Sequence, residues 1–421
     1  MNIGIIGAGI SGLATAYLLH EEHAITVLEA ADRIGGHTHT VDVEEPGGRR
    51  VPVDTGFIVF NRQNYPNFCR LLERLGVASR PSDMSFSVQC ERTGDEYSGD
   101  SLNTLFARRA NLLRPDHYRM LLDVRRFNRH ARRTLALADP EIALGEFLER
   151  NGYSAAFRDR LIVPMGAALW SANPAELLRF PALNFLRFFE NHGVLHGRRA
   201  PRWEVVEGGS SRYLEPLTRG FRDRIRVGAR VTAVTRRGDG VDVRLAAGEA
   251  LRFDCIVIAA HSDQALAMLT DPSPAEREIL GAIPYQANRT VLHTDTGMLP
   301  RRRQTWSSWN YYLPREPRDR VAVSYDMNRL QRLRTERRYV VSLNREDVID
   351  PEAVLRSMTY HHPVYTREAF RAQERLGALN GVRNTYYCGA YWGHGFHEDG
   401  VRSALEVARH FGLGLDGERA A

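Results

Sequence analysis

The chain has 421 residues, which is enough for two or three domains of ordinary size. Hydrophobic residues make up 43% and charged residues 26%, a composition that excludes a fibrous, low-complexity or disordered chain. No apolar run approaches the about 18 residues of a membrane-spanning helix. The sequence contains no lysine, so all 57 basic residues are arginines, and every reaction that needs an amine side chain is excluded.

The charge and the cysteines exclude further classes. The formal net charge is +6, but no helix-turn-helix, zinc module or RNA-binding signature occurs, so we expect no nucleic-acid partner. Four cysteines without a C-x-x-C pair predict neither a disulfide framework nor a zinc site. No secretory signal precedes the first predicted strand, and we therefore expect a cytoplasmic protein.

The N-terminal 29 residues predict a dinucleotide-binding unit. A buried strand at residues 2–6 leads into G-A-G-I-S-G, an apolar helical stretch follows, and a second strand at residues 25–28 comes next. Gly7 would allow the tight turn, Gly9 the approach of a pyrophosphate, and Gly12 close packing of the helix. An acid, Glu29, then stands 20 residues beyond the middle glycine, where it can bind ribose hydroxyls.

The next segment, residues 29–38, resembles the E-x-x-x-R-x-G-G segment of the flavin amine oxidase, phytoene desaturase and protoporphyrinogen oxidase superfamily. The resemblance implies a non-covalently bound FAD. Arg33 can neutralise pyrophosphate charge, and Gly35 and Gly36 place backbone amides beside it with no Cβ in the way. His37 stands where many relatives have arginine.

Three later segments resemble the same superfamily in the same order. Residues 51–61 match the segment that runs back under the cofactor, and residues 203–217 the one that returns the chain to the cofactor domain. Residues 386–408 match the closing motif, in which a helix N-terminus would point at the flavin. The resemblance implies cofactor contacts at Gly7, Gly9, Ile10, Ser11, Gly12, Glu29, Ala30, Arg33, Gly35, Gly36, His37, Thr38, Thr55, Gly56, Phe57, Ile58, Val231, Ala259, Gly389, Ala390, Asp399, Gly400 and Val401.

The pattern of elements predicts an α/β fold with a Rossmann-type FAD-binding domain, of the glutathione-reductase and amine-oxidase kind. This domain would comprise residues 1–64, 197–268 and 378–416. A discontinuous α+β substrate domain, an antiparallel sheet plus helices, would comprise residues 65–196 and 269–377, with 417–421 as a flexible tail. Its predicted strands are residues 290–295, 306–313, 321–325 and 339–343, whereas residues 65–191 give a helical pattern with few strand signals.

Three features leave alternatives open or exclude a site. Residues 116–137 predict a basic amphipathic helix, either a solvated helix face or a contact with an anionic membrane. The aromatic stretch at residues 177–194 is either core or the wall of a substrate tunnel. His192 and His196 have a metal-like spacing, but no acidic partner is at hand and Gly193 should end that helix, so we expect no metal site.

Two departures from the superfamily bear on the substrate. Relatives that oxidise amines usually carry tyrosine where Phe396 falls, and they commonly use a lysine, which this chain lacks. Both departures favour carbon–carbon chemistry on an apolar molecule. The chain looks closest to a bacterial branch whose genes often lie beside cyclopropane-fatty-acid-synthase-like methyltransferases. That resemblance suggests a fatty acyl or other lipid substrate and a methyltransferase partner.

We therefore expect an FAD-dependent oxidoreductase in which a hydride passes from a substrate C–H bond to flavin N5. The candidate catalytic residues are Trp392, His394, Phe396 and His397, with the imidazoles as acid or base candidates. The alternatives are a flavin amine oxidase, a non-redox flavin isomerase or mutase, and a non-catalytic flavin-bound partner of a lipid-modifying complex. The expected location is cytoplasmic, with peripheral attachment to the inner face of the membrane left open.

Overall fold

The computed structural model describes residues 1–137, 142–193, 195, 201–316 and 318–415. Its strands are β1 (Asn2–Ile6), β2 (Ala24–Leu28), β3 (Thr40–Glu44), β4 (Arg50–Asp54), β5 (Val59–Asn61), β6 (Ser79–Pro81), β7 (Phe86–Cys90), β8 (Asp95–Ser98), β9 (Trp203–Val206), β10 (Ile225–Arg226), β11 (Val231–Arg237), β12 (Gly240–Leu245), β13 (Ala250–Phe253), β14 (Cys255–Ile258), β15 (Tyr285–His293), β16 (Trp309–Leu313), β17 (Val323–Asp326), β18 (Val340–Leu343), β19 (Val354–Pro363) and β20 (Thr385–Tyr387). Its α-helices are α1 (Ile10–Leu19), α2 (Pro66–Arg74), α3 (Leu102–Leu105), α4 (Pro115–Leu137), α5 (Leu144–Arg150), α6 (Ala155–Phe157), α7 (Val163–Trp170), α8 (Pro174–Leu177), α9 (Ala182–Asn191), α10 (Leu214–Thr218), α11 (Ser262–Met268), α12 (Pro274–Gly281), α13 (Met327–Leu330), α14 (Arg367–Gln373) and α15 (His397–Arg409).

A five-stranded parallel sheet carries the predicted dinucleotide-binding unit, with strand order β10-β2-β1-β14-β20. Strand β1 pairs with both β2 and β14, so the glycine turn after β1 lies at the centre of the sheet. All four residues of β14 are buried, as continuous apolar runs are in parallel strands covered on both faces. The sheet confirms the predicted Rossmann-type fold.

Two glycines bring α1 against its neighbours. A Cβ on Gly12 would lie 1.9 Å from the carbonyl oxygen of Gly7, so the turn and the helix can approach each other only without a side chain there. A Cβ on Gly400 would lie 2.8 Å from Ile10 Cγ2, which packs α15 onto the start of α1. The two helices therefore hold the glycine turn from both sides.

A seven-stranded sheet forms the second layer, in the order β19-β15-β18-β17-β16-β7-β8. Its pairings are antiparallel, as predicted, except β16 with β7, which is parallel. Strands β7 and β8 also lie in the region that gives a helical pattern. Strand β8 is D-E-Y-S and wholly buried, and its Asp95 is paired with Arg108, Arg114 and Arg160 from other segments, so no apolar alternation marks it.

The helices next to this sheet agree more closely with the predictions from the sequence. The basic helix expected at residues 116–137 is α4. The aromatic stretch contains α9, which His192 caps before Gly193 turns with φ +69°, as expected. His196 and the tail at residues 417–421 lie outside the described residues.

The two sheets follow the expected division of the chain, although the domain boundaries themselves stay a prediction. All strands of the parallel sheet fall in segments assigned to the cofactor domain, and all strands of the seven-stranded sheet in segments assigned to the substrate domain. None of the helices in the described ranges combines the length and apolar character needed to cross a bilayer.

Candidate functional site

A cavity of about 810 Å³ opens where β1, β2, β14 and β20 end at their carboxyl edges, the usual ligand position in open parallel sheets. One side, which we call the glycine wall, is made by residues 6–7, 9–11, 28–30, 35–37, 55–58, 229–232, 259–260 and 389–390. The other side, which we call the aromatic wall, is made by Met84, Ala168, Leu169, Trp170, Phe188, His192, Trp203, Trp309, Tyr325, Leu343 and Phe396.

The glycine wall has room for a phosphate at the start of α1. Gly9 caps this helix without a side-chain hydrogen bond, and the first turn carries no acidic residue. A Cβ on Gly9 would meet no protein atom within 4 Å, in contrast to the clash at Gly12. The first-turn amides and the positive end of the helix dipole are thus available to an anion. This cradle fits the pyrophosphate of FAD.

Glu29 lies at the end of β2 and faces the cavity. Its carboxylate accepts hydrogen bonds from the amides of Ala8 at 2.7 Å and Ala31 at 2.8 Å. Each carboxylate oxygen has a further lone pair for a ligand hydroxyl. The backbone therefore fixes the orientation of this acid at the cavity.

Arg33 does not line the cavity, in contrast to the sequence-based expectation. Its guanidinium donates hydrogen bonds to the carbonyl oxygens of Gly36 at 2.7 Å and Thr38 at 3.2 Å. A Cβ on Gly36 would lie 3.1 Å from Gly9 Cα, so this loop packs directly on the glycine turn. Arg33 thus stabilises the loop that contains Gly36 and Thr38, because the five N–H donors of one guanidinium can bind several carbonyl oxygens at once.

Most of the residues predicted to bind FAD line the cavity. Those that do are Gly7, Gly9, Ile10, Ser11, Glu29, Ala30, Gly35, Gly36, His37, Thr55, Gly56, Phe57, Ile58, Val231, Ala259, Gly389 and Ala390. Those that do not are Gly12, Arg33, Thr38, Asp399, Gly400 and Val401, which pack behind the wall. The contacts of each residue with FAD stay a prediction.

Asp399 positions the aromatic wall. Its carboxylate accepts hydrogen bonds from the amides of His394 at 2.9 Å and Phe396 at 3.1 Å, and it pairs with Arg402 at 2.8 Å. Three donors on one carboxylate hold the loop before α15 in a single conformation. The acid expected beside the flavin therefore acts, in this structure, as the cap of the loop that carries Phe396.

The aromatic wall is assembled from separate segments. The ring of Phe188, from α9, lies 3.7 Å from His192 and 5.4 Å from Phe396 between ring centroids. Within the aromatic stretch, Phe188 and His192 reach the cavity, whereas Phe185 is fully buried and stacks on Phe189 at 4.1 Å. The stretch is therefore mostly core, and the tunnel alternative applies only to its cavity-facing residues.

The four candidate catalytic residues differ in position. His397 is buried, its Nε2 lies 2.9 Å from Thr38 Oγ1, and burial holds its pKa well below the usual range, so it is a neutral, hydrogen-bonded imidazole. His394 lines the cavity, and burial also lowers its pKa. Trp392 does not line the cavity, although its neighbour Tyr391 does.

Sequence reasoning missed a cluster of four histidines, His37, His261, His361 and His362, on the cavity wall. Their ring centroids lie 5.4 to 6.3 Å apart along the cluster. Burial lowers the pKa to about 3 for His37 and His362 and to about 4 for His261, so these three rings are neutral near pH 7. Within the described ranges, no group of His, Cys, Asp or Glu could hold a metal ion.

Several polar atoms on the cavity wall have no protein partner among the residues described. They are His37 Nε2, Trp170 Nε1, Trp309 Nε1, Tyr365 OH, Tyr391 OH and His394 Nδ1. Buried polar atoms are nearly always hydrogen-bonded in proteins, so this set indicates bound ligands or water. Among the described residues, the charged side chains on the wall are Glu29 and Arg230, both on the glycine wall.

A Rossmann-type unit whose glycine turn, acidic strand end and closing helix meet at one cavity is the arrangement of a dinucleotide-binding protein. Residues 10–410 match the family described as flavin containing amine oxidoreductase, and the chain belongs to this family. FAD is accordingly its cofactor, and the resemblance noted from the sequence is confirmed.

Individual proteins that are similar to this chain carry names that point to different substrates. The flavin-dependent L-tryptophan oxidase RebO from Lentzea aerocolonigenes is 26% identical over 268 residues, 57% of this chain and 53% of that protein, so the chain spans about half the length of this relative. Cyclohexylamine oxidase from Brevibacterium oxydans IH-35A superimposes with a TM-score of 0.68 at 18% identity, over 97% of this chain and 98% of that one. A fatty acid isomerase from P. acnes that produces CLA gives the same values.

Proposed function

We propose that the protein removes hydrogen from a C–H bond of an apolar substrate, a fatty acyl chain of a lipid, giving desaturation or oxidation. One observation carries this proposal: among the residues that the structure describes, the aromatic wall has no carboxylate and no guanidinium. A substrate ammonium, or the carboxylate of an amino acid, would be an unpaired charge in a largely apolar cavity, at a cost of several kcal/mol. An acyl chain brings no such charge.

The chain's own residues supply positioning and exclusion of water. FAD, when bound, supplies the hydride-accepting chemistry. Phe188, Phe396 and the tryptophans of the aromatic wall offer large apolar surfaces on which an acyl chain packs through dispersion and the hydrophobic effect. Phe396 provides this surface without the hydroxyl that the amine-oxidising relatives usually carry.

Desaturation releases a proton as well as a hydride, and the proton needs an acceptor. His394 Nδ1 is buried and has no protein partner in the described part of the chain, and its ring lies 5.4 Å from that of Phe188. Burial lowers the pKa of His394, so the ring is neutral and this nitrogen has a free lone pair, while the nearby Asp399 carboxylate raises the pKa and partly offsets the burial that opposes protonation. We therefore assign the acceptor role to His394, and not to His397, whose Nε2 is already hydrogen-bonded.

Mass spectrometry of acyl chains tests the proposal. Flavin-loaded protein is incubated aerobically with phospholipid dispersed in detergent, and the chains are released and weighed. We expect a product lighter by two hydrogens, or heavier by oxygen, and we expect His394→Gln to retain flavin and lose product. An acyl chain of unchanged mass but altered double-bond position would replace the proposal with the isomerase alternative. No change in any acyl chain, together with peroxide release from amines, would replace it with amine oxidation.

A further inference from the structure

Exposed apolar side chains concentrate in one short stretch of the chain. Eleven large apolar residues are exposed among those described, and five of them fall within residues 102–122. These are Leu102 at 76%, Leu112 at 48%, Leu113 at 87%, Tyr118 at 44% and Leu122 at 55% exposure. Single exposed apolar residues are ordinary, but a concentration of this kind indicates a contact surface.

Four of these side chains lie at the start of α4 or just before it, and we call them the leucine patch: Leu112, Leu113, Tyr118 and Leu122. The Tyr118 hydroxyl donates a hydrogen bond to the Leu112 carbonyl oxygen at 3.0 Å, which fixes the segment before α4 against its first turn. Leu122 follows Tyr118 by four residues and so lies on the same face of α4. The patch therefore lies at the N-terminal half of this helix and just before it.

Arginines border the leucine patch. A shallow groove of about 370 Å³ is lined by Leu122 together with Arg119, Arg125, Arg126 and Arg129. Arg125 and Arg129 form no ion pair among the described residues, and both are exposed. They follow Leu122 by three and seven residues, which places them along the same side of the helix.

The acidic residues nearby do not offset these two arginines. Asp123 is fully buried, and it pairs with Arg126 at 2.6 Å and Arg119 at 3.6 Å. Asp116 pairs with Arg114 and with Arg160, each at 2.8 Å. The surface around Leu122 therefore combines apolar side chains with uncompensated positive charge.

We propose that the leucine patch and its arginines dock the protein on the surface of an anionic phospholipid bilayer. Leucines inserted among the acyl chains gain hydrophobic energy, while guanidinium groups bind lipid phosphates in a bidentate manner. The leucine contribution suits any bilayer, whereas the arginine contribution favours an anionic surface over a neutral or cationic one. The docking surface is independent of the chemistry in the cavity, but it explains how a lipid substrate would be reached.

Vesicle sedimentation of the flavin-loaded full chain tests this surface. We expect binding to vesicles of phosphatidylcholine mixed with phosphatidylglycerol, little binding to phosphatidylcholine alone, and release at high salt because surface charges are screened. The double variant Leu112→Ser/Leu113→Ser should bind about tenfold more weakly, since two inserted side chains are lost. Arg125→Gln/Arg129→Gln should lose the preference for the anionic lipid.

Matched controls use exposed residues outside the patch. Val382→Ser, at 51% exposure, and Arg244→Gln should bind vesicles like the parent protein. All variants should keep their flavin content and thermal midpoint, and should act on detergent-dispersed substrate as the parent does. Equal binding to both vesicle types, no binding to either, or equal weakening by patch and control variants would overturn the docking surface. Activity on dispersed lipid would still report on the proposed function separately.

Discussion

The glycine wall and the aromatic wall of the cavity are built on different principles. The glycine wall consists of backbone and small residues, and each of its main segments carries a recognisable motif around Gly9, Gly36, Gly56 or Gly389. The aromatic wall consists of large side chains from segments far apart in sequence, such as Trp170, with no motif of their own. The comparison indicates that short sequence motifs predict which cofactor is bound. The choice of substrate, in contrast, depends on side chains that only the folded chain brings together.

The largest expected effect is a difference in stability between alanine variants at two glycines of the same turn, Gly12 and Gly9. Gly12→Ala places a methyl group 1.9 Å from the Gly7 carbonyl oxygen, so α1 must move, and we expect about 3 kcal/mol or more of lost stability and no bound flavin. Gly9→Ala meets no protein atom, and it should leave the unfolding midpoint of the apoprotein unchanged while weakening FAD binding. Circular dichroism melts and flavin content measure both. A flavin-loaded Gly12→Ala protein of parental stability would contradict this account of the turn.

A second pair of variants tests the aromatic wall. Phe185→Asp buries an unpaired carboxylate in the core and should cost about 3 to 5 kcal/mol, giving misfolded protein. Phe188→Asp places its carboxylate at the cavity wall, where water in the cavity can solvate it, so this variant should fold, bind FAD and lose turnover of lipid. Flavin content and acyl-chain analysis are the measurements. The distinction between core and wall would be wrong if both variants behaved alike.

Variants of Glu29 should have a moderate effect on cofactor binding. Glu29→Ala removes hydrogen bonds to ribose, each worth about 1 to 3 kcal/mol for a charged acceptor, and should raise the FAD dissociation constant by about ten- to a hundredfold. Glu29→Gln keeps one acceptor oxygen, so its FAD dissociation constant should lie between those of the alanine variant and the parent. Fluorescence titration of apoprotein with FAD measures the constants. Equal constants for all three proteins would remove Glu29 from the ribose site.

The smallest expected effect is a pH dependence from the histidine cluster. Burial lowers the pKa of His362 to about 3, against 6.5 for the unfolded chain, so below pH 6.5 the unfolded state binds more protons. Stability of the apoprotein should therefore fall as the pH is lowered from 6.5 towards 4. Asp54, whose pKa burial raises to about 6, contributes with the opposite sign, so the slope must be compared between variants.

The comparison uses His362→Gln and a surface control. Urea midpoints of the apoprotein at pH 7.5 and pH 5 should differ less in His362→Gln than in the parent. His410→Gln, at an exposed position, should keep the parental slope. If the urea midpoint of His362→Gln changed with pH as much as that of the parent, this imidazole would not gain a proton on unfolding.

The sequence predicted the parallel sheet, the glycine turn and Glu29, because each depends on local constraints such as a missing Cβ or a helix N-terminus. It did not place Arg33 behind the loop, since a guanidinium can reach either a ligand or neighbouring carbonyls and the choice depends on tertiary contacts. The sequence also did not predict that His37 lies close to His261 and His362. Three separate segments contribute one ring each, and only the fold brings them together.

Strands β8 and β19 show a second reason why the sequence did not predict part of the fold. Strand β8 is polar and buried, and its charges are paired with arginines that only the fold brings near. Strand β19 is mostly exposed, so no buried face imposes alternation on its sequence. Patterns of apolar residues predict strands only where one face meets a hydrophobic core.

Anaerobic mixing with substrate tests the central claim, that the cavity oxidises a C–H bond of an apolar acyl chain. Purified protein is mixed without oxygen with detergent-dispersed phospholipid, and separately with cyclohexylamine, putrescine and L-tryptophan, while the flavin absorbance is followed. The account predicts that the oxidised flavin band bleaches with the lipid and persists with the amines and the amino acid. Bleaching by an amine or by tryptophan, with none by the lipid, would contradict it.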